Sequence, residues 1–156
     1  MSLEAGALCY VDTSALIERY VRESGSDEFD GFSQEPGYDR AICALQTVEF
    51  TTTLQRRLRL GAMNRRQVAG ARQRLFANLA AGGWRLIAFE ADVFSRATSL
   101  LTDLGVAVAT LDAQHLACAL QSNTRHFATA DRQIAAAARK TGLTVLRSYL
   151  LLATSL

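Results

Sequence analysis

The chain carries one proline, Pro36, and one lysine, Lys140, among its 156 residues. So little proline excludes collagen-like and proline-rich fibres. No Cys-x-x-Cys pair occurs: Cys9, Cys43 and Cys118 stand far apart, each among apolar neighbours. That argues against a zinc or dithiol motif and for three small buried hydrophobes. No apolar run reaches the roughly 18 residues that a membrane helix needs. The first four residues, Met1 to Glu4, lack the basic and apolar regions of a secretion signal. The expectation is a cytoplasmic chain with no membrane partner. The phosphate-cradling patterns G-x-G-x-x-G and G-x-x-x-x-G-K-S/T are also missing, so no nucleotide cofactor is expected.

What is present suits a packed core. Hydrophobic residues make up 49% and charged residues 21%, which excludes a disordered chain. The length predicts a single domain over 1–156.

Charge is informative in its placement. The net charge is only +2, yet no acid lies between Phe50 and Phe89, a stretch holding eight arginines. They include Arg56, Arg57, Arg59, Arg65 and Arg66. From Glu18 to Asp39 the balance reverses, with seven carboxylates and two arginines. Arginine's planar fork suits bidentate phosphate contacts better than lysine's point charge. Two readings stay open, a solvated basic helix face and a surface for a polyanion.

Glycines and turn residues divide the chain into short elements. Residues 8–11 form an apolar run that predicts a buried strand, followed by a helix that Thr13 or Ser14 caps and that runs to about 22. Residues 24–37 are acidic and turn-rich. A second strand is expected over 40–44, then a helix over 45–60 with Leu45, Val48, Thr52, Leu54 and Leu58 facing inward and Gly61 as its stop. Asn64 caps a helix to about 81. Further expectations are a strand over 84–89, a helix over 90–104, a strand or extended loop over 106–111, and a helix opened by Asp112. A strand over 127–130, a helix opened by Asp131 and stopped by Gly142, and a strand over 143–146 complete the pattern. Helices alternating with short, continuous apolar runs predict an α/β domain with a mainly parallel sheet covered on both faces.

Such sheets place their sites outside the carboxyl ends of the strands. Asp12 and Asp131 follow predicted strands, Asp112 sits at a loop–helix junction, and Glu49 is the only acid in its helix. Singly, the aspartates suit N-caps. Together, converging carboxylates repel and raise one another's pKa, and a divalent cation relieves that repulsion. All-oxygen ligands suit Mg²⁺ or Mn²⁺ and not zinc. Such an ion orients water for phosphodiester hydrolysis. His115, one turn after Asp112, reads either as a satisfied structural histidine or as a partner for a carboxylate or phosphate. His126 reads as a surface residue at a strand entrance.

Four segments carry a resemblance. Tyr10-Val11-Asp12-Thr13-Ser14-Ala15-Leu16, Thr47-Val48-Glu49-Phe50 before an arginine-rich helix, Leu111-Asp112-Ala113-Gln114-His115-Leu116-Ala117, and Thr129-Ala130-Asp131-Arg132 resemble, in order, the acidic motifs of PIN-domain ribonucleases. The VapC-type toxins of toxin–antitoxin pairs are most similar. The resemblance spans roughly residues 8–146. It implies a three-layer α/β/α domain and a Mg²⁺- or Mn²⁺-dependent endoribonuclease with Asp12, Glu49, Asp112 and Asp131 as catalytic, metal-holding acids. Ser14 and Thr129 would orient carboxylates or water. It also implies an antitoxin partner and a homodimer, with the apolar tail at Tyr149 to Leu152 as one interface candidate. In-line hydrolysis would leave a 5′-phosphate and a 3′-hydroxyl, with arginines between Arg56 and Arg74 on the RNA backbone. The alternative is a non-catalytic RNA-binding or protein-interaction module of the same fold. A phosphotransferase built on Asp12 is disfavoured, because Thr13 and Ser14 stand where a second acid or a lysine would serve it.

Overall fold

Five short apolar runs assemble one parallel sheet in the computed structural model, which describes residues 6–21 and 38–146. In chain order the elements are β1 (Ala7–Val11), α1 (Thr13–Tyr20), β2 (Tyr38–Cys43), α2 (Ala44–Arg59), α3 (Arg65–Ala80), β3 (Arg85–Ile87), α4 (Asp92–Asp103), α5 (Thr110–Gln121), β4 (His126–Ala128), α6 (Arg132–Lys140) and β5 (Thr144–Leu146). The spatial order is β3-β2-β1-β4-β5 and every neighbouring pair is parallel. Tyr10 pairs with Ala41 on one side and Phe127 on the other.

The two-residue alternation of β1 separates the layers. Cys9 and Val11 join Leu16, Phe50, Leu54 and Leu75 in a core beneath α1, α2 and α3. Tyr10 and Phe127 join Val93, Leu116 and Ile134 beneath α4, α5 and α6. The result is the expected three-layer α/β/α arrangement. All three cysteines are buried.

Local chemistry explains most boundaries. Asn64 caps α3, with Gln67 returning the bond to the Asn64 backbone. Gly61 and Gly142 follow α2 and α6 at φ +73° and +90°, a conformation that side chains resist. Tyr20 ties α1 to α3: its hydroxyl accepts from Trp84 Nε1 at 2.7 Å and Asn78 Nδ2 at 2.8 Å.

Several expectations need correction. Asp12, not Thr13 or Ser14, caps α1. In α2 the fully buried positions are Gln46, Phe50 and Leu54, whereas Val48 is 62% exposed and Thr52 is also exposed. Burying an aromatic or leucine contributes roughly 1.5–3 kcal/mol, against about 1 kcal/mol for a cap, so Phe50 and Leu54 set the helix's rotation. Gln46 then points inward and is satisfied there. Its Oε1 accepts from Cys43 N at 2.7 Å and its Nε2 donates to Val11 O. Of the two readings of 106–111, the loop holds over 106–109 and the strand does not, and α5 starts at Thr110 after Ala109, which places Asp112 inside the first turn instead of at the cap. His126 opens β4 but is half-buried. The acidic stretch at 24–37 and the tail at Tyr149 to Leu152 lie outside the described residues. No described helix is long and apolar enough to cross a membrane.

Candidate active site

The chain leaves β1 to build β2 and β3 on one side, then returns to add β4 and β5 on the other. The strand order therefore reverses between β1 and β4, and crevices open at the carboxyl ends of such strands. Asp12 follows β1 at that point and Thr129 follows β4.

Asp12 is 5% exposed and held by both oxygens. Oδ1 accepts from Ser14 Oγ at 2.8 Å and from Ala15 N at 3.1 Å, and Oδ2 accepts from Thr129 Oγ1 at 2.7 Å. The same hydroxyls accept in turn, Ser14 Oγ from Ala130 N and Thr129 Oγ1 from Asp131 N, both at 3.0 Å. Ser14 and Thr129, the two hydroxyls singled out in the sequence, both donate to Asp12. Burial pushes the Asp12 carboxyl up to about 6, against the pull of these donors and of His115.

Glu49 reaches the same edge from the second turn of α2. Its Oε2 accepts from Thr13 Oγ1 at 2.8 Å and from His115 Nε2 at 2.5 Å. His115 is 2% exposed, and its Nδ1 is hydrogen-bonded to the Tyr10 hydroxyl at 2.7 Å. Cys43 Sγ lies 4.0 Å from the same nitrogen. Burial alone would lower the imidazolium. The sulfur of Cys43 and the carboxylate of Glu49 outweigh it and lift His115 to about 10. Both readings of His115 hold at once: it is a satisfied core residue, and its partner is a carboxylate of the site.

Asp112 and Asp131 are held more loosely. Asp131 is exposed and caps α6, its Oδ1 accepting from Gln133 N at 2.7 Å. Asp112 is half-buried and accepts no hydrogen bond from a described residue. Burial first, then the charges of Asp131 and Glu49, raise its carboxyl, while His115 pulls the other way. Asp131 and Glu49 thus oppose the charge of Asp112, while His115 favours the charged forms of Asp112 and Asp12.

The arginines divide. Arg56 and Arg57 line an open cleft of about 570 Å³ together with Thr13, Ser14 and Asp131. Arg57 and Arg66 line the next cleft, of about 510 Å³, with Arg74. Arg59 and Arg65 are exposed and line neither. Arg65 and Arg66 occupy the first turn of α3, the positive end of its dipole, where cations are unfavourable by some tenths of a kcal/mol, roughly 0.3–1. That placement has no benefit to the helix.

The donor set suits a hard divalent cation: carboxylate oxygens only, with one oxygen of Glu49, one of Asp131 and both of Asp112 unengaged among the described residues. Asp131 and Glu49 both repel Asp112, which such a cation would relieve. As the side chains stand, no group of three or more His, Cys, Asp or Glu among the described residues is close enough to hold a metal. The carboxylates would have to draw together around it.

Sequence reasoning missed Tyr10, Thr13 and Gln46. Tyr10 was legible in part: the alternation of β1 turns it toward α5, and a buried tyrosine needs a hydroxyl partner.

No curated protein matches the chain's sequence. Solved structures share its fold at low identity. VapC20 from Mycobacterium tuberculosis, described as a sarcin–ricin loop cleaving toxin, superposes with a TM-score of 0.64 at 18% identity, covering 83% of this chain and 94% of that one. FitAcB from Neisseria gonorrhoeae gives 0.66 at 17%, covering 90% and 98%. A toxin–antitoxin complex from Klebsiella pneumoniae gives 0.61 at 18%, covering 92% and 98%. A model of the PIN domain matches residues 9–146, from within β1 to the end of β5, and the chain belongs to the PIN domain family.

Proposed function

We propose that this chain is a metal-dependent endoribonuclease and the toxin of a toxin–antitoxin pair. What supports the reading is that Asp112 meets the charges of Asp131 and Glu49, that His115 acts on both Asp12 and Glu49, and that arginines line a cleft with Asp131. Without a counter-ion, such a cluster is a poor neighbour for a polyanion. With Mg²⁺ or Mn²⁺ it becomes a place to cleave one.

The four carboxylates would hold the cation. When bound, it would supply Lewis-acid chemistry, polarising a phosphodiester and making water acidic enough to attack it. Ser14 and Thr129 keep Asp12 in place, and Asp12 must be deprotonated to serve. Arg56, Arg57 and Arg66 would bind RNA phosphates, with Arg59 and Arg65 as outer contacts. These contacts give affinity without sequence choice. The cytoplasm is where RNA and an antitoxin would be met. An antitoxin segment would cover the crevice, and a homodimer is the expected resting form. The single domain is expected to extend over 1–156.

The test is cleavage of total cellular RNA by the purified, partner-free chain with Mn²⁺, with EDTA and as Asp12→Asn. Discrete cuts that vanish with EDTA and with Asp12→Asn support the reading. Cuts that survive Asp12→Asn place the chemistry elsewhere. No cuts from folded, Mn²⁺-loaded protein favour a non-catalytic RNA-binding or protein-interaction module.

A further inference from the structure

Glu49 is the longest of the four acids and the one with the most side-chain freedom to lose when fixed. The shorter acids need less help. Asp12 is gripped by three donors and Asp131 by its own helix. Glu49 lies on a helix of one layer, α2, and its strongest partner, His115, comes from the opposite layer on α5. Both of its hydrogen bonds fall on the same atom, Oε2, and no described residue donates to Oε1.

His115 is itself fixed from a third element. Tyr10 on β1 holds Nδ1, which leaves Nε2 to face Glu49. Asp112 lies one turn before His115 on the same helix. The His115–Glu49 bond therefore sets the spacing between the helix that carries Glu49 and the helix that carries Asp112.

We propose that His115, held by Tyr10, is a positioning residue that presents Glu49 to the cation through Oε1 alone and fixes its distance from Asp112. The inference rests on the metal-dependent reading above. It assigns no contact between His115 and RNA or the cation. Its effect passes through Glu49.

The test is Mn²⁺ affinity, read from the electron paramagnetic resonance signal of free Mn²⁺ during titration of the full chain without RNA. Wild type, Asp12→Asn, His115→Leu, His115→Gln and Tyr10→Phe are compared, each with a thermal melt in EDTA. Loss of an outer residue that orients a ligand typically weakens metal binding about 10–100-fold. That loss is expected for His115→Leu, with a smaller one for Tyr10→Phe and partial recovery in His115→Gln, which keeps an N–H donor. A merely structural histidine would lower the melt and leave Mn²⁺ affinity unchanged. If His115→Leu does not fold, His115→Gln and Tyr10→Phe decide. Wild-type affinity in the folded variants, beside lost binding in Asp12→Asn, overturns this inference and leaves the nuclease reading standing. Failure of wild type itself to bind Mn²⁺ overturns both.

Discussion

Asp12 and Asp112 bring the same functional group to the same end of the sheet and are held in opposite ways. Asp12 is buried, accepts three hydrogen bonds and caps α1. Asp112 is half-buried, has no described donor and meets the charges of Asp131 and Glu49. The fold uses Asp12 whatever the chemistry. It has no use for Asp112, whose surroundings disfavour its charged form. A carboxylate held where its charge is opposed is the kind of group that a bound cation would favour.

Neutralising either acid separates the two roles, and this is the largest effect expected. Asp12→Asn and Asp112→Asn are both expected to lower RNA cleavage at least about 100-fold, beyond what loss of an orienting residue does. Their stabilities diverge. Asp112→Asn removes repulsion, so its melting temperature in EDTA is expected to hold or rise. Asp12→Ala loses a cap, about 1 kcal/mol, and strands two hydroxyl donors, so it is expected to melt lower. An Asp112→Asn protein that melts as low as Asp12→Ala would end the comparison.

Acidity sharpens it next. The Asp12 carboxyl is raised from 3.8 to about 6 in the folded chain. The folded state therefore binds more protons than the unfolded one between those values, and stability falls as pH rises through them. The full difference corresponds to roughly 3 kcal/mol, at about 1.4 kcal/mol per pKa unit. Urea melts in EDTA from pH 4 to 7 are expected to show wild type losing stability relative to Asp12→Asn across that window. Parallel curves for the two proteins would show that Asp12 titrates normally.

Thr129→Val probes the grip on Asp12 without touching a charge. It removes the donor to Asp12 Oδ2 and the acceptor for Asp131 N in a fully buried place. A loss of about 1–3 kcal/mol in urea melts is expected. Ser14→Ala is expected to lose less, because Asp12 Oδ1 keeps the Ala15 N–H.

The same contrast explains what was legible in the sequence. Continuous apolar runs at β1, β2 and β4 forecast the parallel sheet, and Gly61, Asn64 and Gly142 forecast helix ends, because each acts through its own backbone. The four acids were legible through their position after strands and the order of their motifs. The hold of Thr13 on Glu49 was not, nor that of Tyr10 on His115, since these residues meet only after α1, α2, β1 and α5 have packed. Nor was the rotation of α2. Gln46 reads as a surface residue until the backbone of Val11 and Cys43 is there to satisfy it. The start of α5 at Thr110 escaped for a simpler reason: Asp112 offers a cap that the helix does not use.

The smallest expected effect concerns the cleft that arginine and acid share. Arg56 is exposed on the last turn of α2 and faces the space bounded by Thr13, Ser14 and Asp131. Arg59, three residues on, lines neither cleft. If Arg56 holds a phosphate, each such contact contributes about 0.7 to the slope of log affinity against log salt for single-stranded RNA. In EDTA, where RNA stays intact, Arg56→Ala is expected to flatten the slope by that amount and Arg59→Ala to leave it unchanged. The acids act with the opposite sign. Asp112→Asn is expected to tighten metal-free RNA binding, because its charge faces the ligand unshielded. Asp12→Asn is expected to change it less, because that charge is buried and already surrounded by donors. Filter-binding isotherms at several salt concentrations separate the four variants. Equal effects of Asp12→Asn and Asp112→Asn would show that RNA does not distinguish the two carboxylates, however differently the fold holds them.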